Sequence, residues 1–161
     1  MISFDTPTHR FNYRAVAVIL HAGNVLLHRA ERDDCWSLPG GRVEPGESAS
    51  EAVIREVREE LALTVSVDRL LWVVENFFSF AGMQYHELGL YFAVTAAPDS
   101  AIFTLTEPFD GIEQEPRLTF AWFPRAELGK IDLRPVFLAE ALAREPVQFE
   151  HVVNREGVAG V

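Results

Sequence analysis

Sulfur chemistry is nearly absent from this 161-residue chain, which carries one cysteine, Cys35. A lone thiol forms no disulfide within the chain and no zinc cluster, which fits a reducing compartment. Nothing beside Cys35 in the sequence offers a base, so it reads as an inert buried side chain rather than a nucleophile. Also missing are a Walker loop, a dinucleotide-binding glycine fingerprint, a His-Glu-x-x-His pair and a nucleophile elbow. No apolar run approaches membrane-spanning length. The opening Met-Ile-Ser-Phe-Asp-Thr-Pro lacks the charged-then-apolar order of a signal peptide. The expectation is a cytoplasmic protein with no membrane partner. Positive charge is scarce, with 14 Lys and Arg against 24 Asp and Glu and a net charge of −10. That balance disfavours nonspecific nucleic-acid binding. It also means that a phosphorylated ligand has to be met by local cations, whether metal ions or well-placed arginines.

Apolar residues are plentiful. They make up 48% of the chain and include 12 Phe and 3 Trp, enough for one domain with a real core spanning 1–161. There is no internal repeat, low-complexity run or linker. Arg14 to Leu20 reads as a strand, paired across a Gly23-Asn24 turn with Val25 to Arg29. Val65 to Phe78 holds strand material, with Leu70 to Val74 expected to be buried on both faces. Gln84 to Thr95 is the next strand. Residues 96–118, with three prolines, read as irregular. Leu118 to Phe123 reads as a strand, Arg125 to Leu128 as a helical turn and Pro135 to Arg144 as a helix with proline in its first turn. The tail from about 145 reads as weakly ordered.

The richest segment is Gly41 to Leu63. Pro45 and Gly46 mark a turn. Glu47 or Ser48 caps the helix that follows, and Glu51 stands where a capping-box acid reaches back to Ser48. With about 100° between successive side chains and Ala49 at zero, Val53, Val57 and Leu61 fall at roughly 40°, 80° and 120°. On the same scale Glu60 lies near 20° and Glu56 near 340°, inside the apolar arc, and Glu59 near 280° at its edge. Arg58 and Glu51 point to solvent. Most charge runs are solvated faces, but carboxylates on an inward face are rarely buried unless paired or metal-bound. Arg55 pairs with Glu59 one turn on, yet one arginine does not neutralise three acids. Oxygen-only ligands favour magnesium or manganese over zinc.

These residues resemble the Nudix box, G-x5-E-x7-R-E-U-x-E-E-x-G-U, with U a bulky aliphatic. Gly41, Glu47, Arg55, Glu56, Val57, Glu59, Glu60 and Leu63 match at the required spacing, and Ala62 departs where the pattern has glycine. The flanking Trp36-Ser-Leu-Pro-Gly-Gly and Trp122-Phe-Pro-Arg-Ala-Glu-Leu segments are similar to Nudix sequences too. The resemblance implies an α+β fold, an α/β/α sandwich with a central mixed sheet. It implies hydrolysis of the diphosphate linkage of a nucleoside diphosphate joined to another group, ADP-ribose-like or a nucleoside di- or triphosphate. It implies Mg2+ (or Mn2+) held by Glu56, Glu59 and Glu60, with Arg55 steadying a carboxylate and Glu56 the candidate to orient or deprotonate water. Gly40 and Gly41 would allow close backbone approach, with the Gly40 carbonyl joining the metal shell. Many relatives in the family are dimers, which makes a homodimer one option, while the sequence leaves the oligomeric state open.

A further acid often comes from a distant loop in this family. Glu113 and Glu115 are candidates, the alternative being exposed loop acids, and Glu87 is a third. In the strand Gln84 to Thr95, Tyr85, Glu87, Gly89 and Tyr91 share one face, with a gap at Gly89 that suits a ligand. His86 lies on the other face as a hydrogen-bonded core residue. Arg14, Arg29 and Arg42 are candidates to touch phosphate, against the ordinary surface role of arginine. Trp36, Phe77, Phe78, Phe80 and Tyr85 are candidates to stack on a base, and Glu75 and Asn76 to touch a ligand. The competing readings are a non-catalytic nucleotide-binding module and an enzyme acting on RNA 5′ ends. Intact charged positions disfavour the first, and acidity disfavours the second.

Overall fold

Small and branched side chains alternate faces along the strand His9–His21 (β2), and both faces are buried in its second half. β2 therefore runs through the middle of the molecule. The computed structural model describes residues 1–144 and 148–157. Ser3–Asp5 (β1) and Gly40–Arg42 (β4) pair antiparallel with β2. Beyond β2, Ala22 and Gly23 take positive φ of 48° and 79° and turn the chain into Asn24–Ala30 (β3), one residue earlier than the Gly23-Asn24 turn expected. Val65–Phe80 (β5) and Met83–Ala96 (β6) form a long hairpin, and β6 lies parallel to β2 from His9↔Gln84 to Ile19↔Val94. Phe109–Gln114 (β7), Arg117–Pro124 (β8) and Glu150–Glu156 (β9) complete a nine-stranded mixed sheet in the order β7-β8-β3-β2-β6-β5-β9.

Period-two alternation sorts the core into two layers. On one face the helix Ala49–Leu61 (α1) packs Ala52, Val53 and Val57 against Ala15, Ala17, Ile19 and Phe92. On the other, Val16, Val18, Trp72 and Tyr91 pack against Leu138 and Leu142 of Leu138–Ala143 (α2) and against Leu128 of a 3-10 turn. This is the α+β sandwich with a central mixed sheet. None of the described helices is long and apolar enough to cross a membrane.

Some expectations change. The stretch 96–118 is not irregular throughout, since it holds a 3-10 turn at Ala101–Thr104 and then β7. The tail expected to be weakly ordered contains β9, paired parallel with β5 from Trp72↔Glu150 to Phe78↔Glu156. Residues 145–147 and 158–161 of that tail lie outside the described residues. Both strands are short and polar, and pairing with a neighbour distant in sequence decides them, which is invisible to local periodicity. The last helix starts at Leu138, three residues after Pro135. In Leu70 to Val74, the fully buried members are Leu71, Trp72 and Val74.

Helix α1 starts with a complete capping box. The Glu51 N–H donates to Ser48 Oγ at 3.3 Å, and the Ser48 N–H donates to Glu51 Oε2 at 2.8 Å. Ser48, not Glu47, is the cap. Ala62 closes the helix in the left-handed region, φ 53°, with its N–H on the Arg58 carbonyl at 2.9 Å. The closing geometry of the box is kept although the glycine is not. An L-residue there costs about 1 kcal/mol relative to glycine. Ala62→Gly should therefore stabilise the protein by up to about 1 kcal/mol, read as a higher urea midpoint at unchanged m-value. A lower midpoint would show that the alanine is not strained.

Candidate active site

Arg55 organises the acids around it. Its Nε and Nη2 donate to the two carboxylate oxygens of Glu47 at 2.8 and 2.9 Å. Its Nη1 reaches Glu56 Oε1 at 2.8 Å and Glu59 Oε2 at 2.9 Å, and Nη2 also holds the Arg42 carbonyl at 3.1 Å. The fork geometry of guanidinium permits this, and an ammonium would not reproduce it. Glu47 answers with a lowered pKa, caused first by the Arg55 hydrogen bonds. Arg55 thus fastens the loop before α1 to the helix and places Glu56 and Glu59.

Glu60 is left out of this arrangement. It is 4% exposed, and its Oε2 has no partner among the described residues. Burial first, then the charge of Glu56, pushes its pKa up to about 8, while Arg14 and the Gly40 backbone pull the other way. His28 Nδ1 lies 3.7 Å from Glu60 Oε1. Burial first, then Arg14, depresses His28 to about 3, so it is neutral at pH 7 and forms no ion pair with Glu60. Glu56, half-buried, also has a raised pKa, chiefly from burial, despite the opposing Arg55.

Glycine brings two other strands against these acids. A Cβ on Gly41 would fall 2.2 Å from the Glu56 carboxyl carbon, so a side chain there would displace the Glu56 carboxylate from its place on Arg55. The preceding Gly40 carbonyl accepts from Arg14 Nη2 at 2.7 Å. A Cβ on Gly111 of β7 would meet Phe120 at 2.8 Å and the Glu60 carbonyl oxygen at 2.9 Å. This close approach sets β7 beside the last turn of α1, and Glu113, two residues on, adds its charge to the field that raises Glu60. Glu115 is exposed in the turn between β7 and β8. Among the described residues no three His, Cys, Asp or Glu side chains converge as a ready-made metal cage. Glu56 and Glu59 are turned onto Arg55 instead. The donors available nearby are mostly oxygen, as a hard cation requires, and include the orphaned Glu60 Oε2, with the unpartnered His28 Nδ1 as a nitrogen beside it.

On the opposite face of the sheet lies a cavity of about 550 Å3, within the range of small-molecule sites. Arg14, Asn76, Glu87, Tyr91, Phe78 and Phe80 are among its lining residues. Arg14 joins the two regions, for it lines the cavity while holding the Gly40 carbonyl. Its Nη1 is 3.9 Å from Glu87 Oε2.

The other sequence candidates are distributed as follows. Tyr85 stands behind the cavity wall, stacked on Phe78 with centroids 4.8 Å apart. The gap at Gly89 is filled by the Tyr91 ring, which a Cβ would approach to 2.7 Å. Arg42 Nη1 sits on Met1 Sδ at 2.6 Å, away from the cavity. Arg29 covers Trp36, whose ring meets Phe123 edge-on. Phe77 lies under Arg155. His86 is packed between Phe11 and Phe77, a ring contact rather than the hydrogen bond expected. Glu75 is bonded to His151 at 2.9 Å. Sequence reasoning undervalues Arg14 and misses His28, though a histidine directly after Val-Leu-Leu in a buried strand is a readable signal.

The family model described as NUDIX domain matches residues 12–144. The chain is 34% identical over 120 residues to a Homo sapiens protein named 8-oxo-dGDP phosphatase NUDT18, covering 72% of this chain and 33% of that one. It is 54% identical over 42 residues to a Methanocaldococcus jannaschii protein named ADP-ribose pyrophosphatase, covering 26% of this chain and 25% of that one. The chain thus spans a third or less of the length of these two relatives. In fold it is similar to the crystal structure of a NUDIX hydrolase from Nitrosomonas europaea, with a TM-score of 0.61, 17% identity, and coverage of 90% of this chain and 79% of that one. The match of the family model across most of the chain, on a fold that packs the Gly41–Leu63 box against the central strand β2, makes this protein a member of the NUDIX domain family.

Proposed function

We propose that this protein is a divalent-metal-dependent pyrophosphohydrolase acting on the diphosphate linkage of a nucleoside diphosphate joined to another group, or of a nucleoside di- or triphosphate. The observation that carries the reading is Glu60, a carboxyl buried at the base of an acid cluster with an unpartnered oxygen and a neutral histidine for its neighbour. A fold rarely retains such a group for packing, and it suits a site completed by a cation. Glu56, Glu59 and Glu60, with the Gly40 carbonyl and Glu113, would hold Mg2+ or Mn2+. When bound, the ion would neutralise phosphate oxygens and lower the pKa of water.

The chain's own residues supply the rest. Arg55 keeps the acids in position through its shared hydrogen bonds. Glu56, half-buried and with a raised pKa, is the group suited to accept a proton from water. Arg14 places a positive charge near both the acid cluster and the cavity, where it would help neutralise a phosphate. The cavity would take the nucleoside. The two relatives' names point to different bases, guanine in one and adenine in the other.

Arg55→Ala should lower Mg2+-dependent phosphate release by about 10–100-fold, the scale of lost orienting contacts, and Glu60→Gln should lower it further. The assay is a screen of nucleotide derivatives with Mg2+ and Mn2+. Unchanged hydrolysis by Glu60→Gln would remove the site assignment.

The acid cluster also makes the metal-free protein pH-sensitive. Glu60 rises from 4.5 to about 8 on folding, so its contribution is complete below pH 4.5 and is lost as pH rises through 8. His28 falls from 6.5 to about 3, so its contribution is complete above pH 6.5 and is lost as pH falls through 3. The two slopes oppose one another between 4.5 and 6.5. Above that, the His28 contribution is complete and Glu60 leads the fall, with the raised Glu56 acting in the same direction. In chelator, urea stability should therefore fall by roughly 2 kcal/mol between pH 6.5 and 8. Glu60→Gln should remove most of the fall, and a flat wild-type profile would contradict the assigned burial.

A further inference from the structure

Among the described residues, four buried side-chain nitrogen or oxygen atoms have no hydrogen-bond partner. Two of them, Arg14 Nε and Trp72 Nε1, are N–H donors and carry no lone pair for a cation. The other two, His28 Nδ1 and Glu60 Oε2, belong to neighbouring side chains, with Nδ1 3.7 Å from Glu60 Oε1. Both side chains are more than nine-tenths buried, at 9% and 5% exposed. A buried polar atom without a partner costs free energy. Here two such atoms, one nitrogen and one oxygen, share a single place.

The fold holds the imidazole there. The His28 N–H donates to the Ser37 carbonyl at 2.8 Å, and the Ser37 N–H returns a bond to the His28 carbonyl at 2.9 Å. On the other side His28 is registered with Phe120 of β8, and the two rings pack with centroids 5.4 Å apart. Alternation along β3 puts His28 on the same face as Leu26, which belongs to the core under α1. The ring is thereby held toward the last turn of α1.

The neighbouring acids and carbonyl are already engaged. Glu56 and Glu59 accept from Arg55 at 2.8 and 2.9 Å. The Gly40 carbonyl accepts from Arg14 at 2.7 Å. Each of these has to share or release a guanidinium before it holds another cation. His28 Nδ1 and Glu60 Oε2 have nothing to release. Their 3.7 Å contact is too long for a hydrogen bond. It is close to the spacing of two donors on one ion. With each donor about 2.1 Å from the metal, angles of about 90–120° put the donors roughly 3.0–3.6 Å apart.

The geometry points to His28 as a metal donor, its Nδ1 joining Glu60 in a mixed nitrogen and oxygen site that favours a borderline divalent ion of the cobalt kind over Mg2+. Imidazole suits such ions, whereas Mg2+ prefers oxygen and sheds its water reluctantly. With the Nδ1 lone pair as ligand, the ring proton sits on Nε2. His28 lies outside the Gly41–Leu63 box, so the kind of ion taken is set by a strand rather than by the acid helix. The inference rests on the proposed metal site and deepens it, since the acids hold an ion and His28 selects it.

The test is binding of Mg2+, Mn2+ and Co2+, each alone, to the full chain by calorimetry. Pulsed electron paramagnetic resonance of the Mn2+ form detects nitrogen bound directly to the ion. His28→Gln, which offers an amide in place of the imidazole, should lower Co2+ affinity by about 10-fold or more and leave Mg2+ affinity within about 2-fold. The wild-type Mn2+ form should show nitrogen coupling, and His28→Gln should lose it. The wild-type spectrum decides the matter if the variant does not fold. No nitrogen coupling in the wild type overturns the assignment. So does coupling that survives His28→Gln, since it then comes from His9, His21, His86 or His151. Equal loss of Co2+ and Mg2+ affinity overturns it too, because a merely structural histidine would weaken both. The failures are distinguishable. Mg2+ and Mn2+ binding without nitrogen coupling, abolished by Glu60→Gln, would sink His28 as a donor and keep the proposed metal site. Binding of none of the three ions would sink that site and this inference with it.

Discussion

A carboxyl group 4% exposed, beside a neutral imidazole and without a contact to Arg55, is pushed toward its protonated form, with Arg14 and the Gly40 backbone opposing. Water is excluded, and the nearest acid repels the charge. Holding Glu60 in this place costs free energy, and α1 supplies it from its other inward positions. Val53 and Val57 are fully buried, each contributing roughly 1.5 kcal/mol or more. The same apolar stripe that docks the helix carries the acid inward, so packing and chemistry share one helix face.

The surrounding parts answer to that position. Arg55 gathers Glu47, Glu56 and Glu59 and so prevents their mutual repulsion from opening the start of the helix. Gly41 lets β4 rest on Glu56, and Gly111 lets β7 rest on the Glu60 carbonyl. Arg14 then passes the electrostatic influence of the cluster through the sheet to the cavity on the far face. The acids and the cavity lie on opposite sides of the sheet, and the glycine strand between them is thin enough for one side chain to serve both. A family whose members' names point to different substrates suits this division.

Much of α1 is legible in its own residues. The capping box, the apolar arc and the inward aim of Glu60 follow from spacing, because a helix makes residues close in sequence close in space. The same locality explains what stays hidden. Glu87 and Asn76 are visible as polar residues in apolar strands, yet their burial beside Asn12 and Asn154 depends on register with strands far away in the chain. Tyr85 reads as a base platform by alternation alone, whereas in the fold its ring supports Phe78. Alternation assigns a face, but not which of two neighbouring rings reaches the open space.

What the residues determined by themselves is therefore the acid helix, the family and the general α+β architecture, since each rests on short-range pattern. Only the tertiary structure decided that Arg55 also reaches Glu56 and Glu47 but not Glu60, that β7 and β9 exist, and that Asn76 and Glu87 line the cavity. Those outcomes depend on strand register and on exclusion of water by distant segments, which no local stretch of sequence contains.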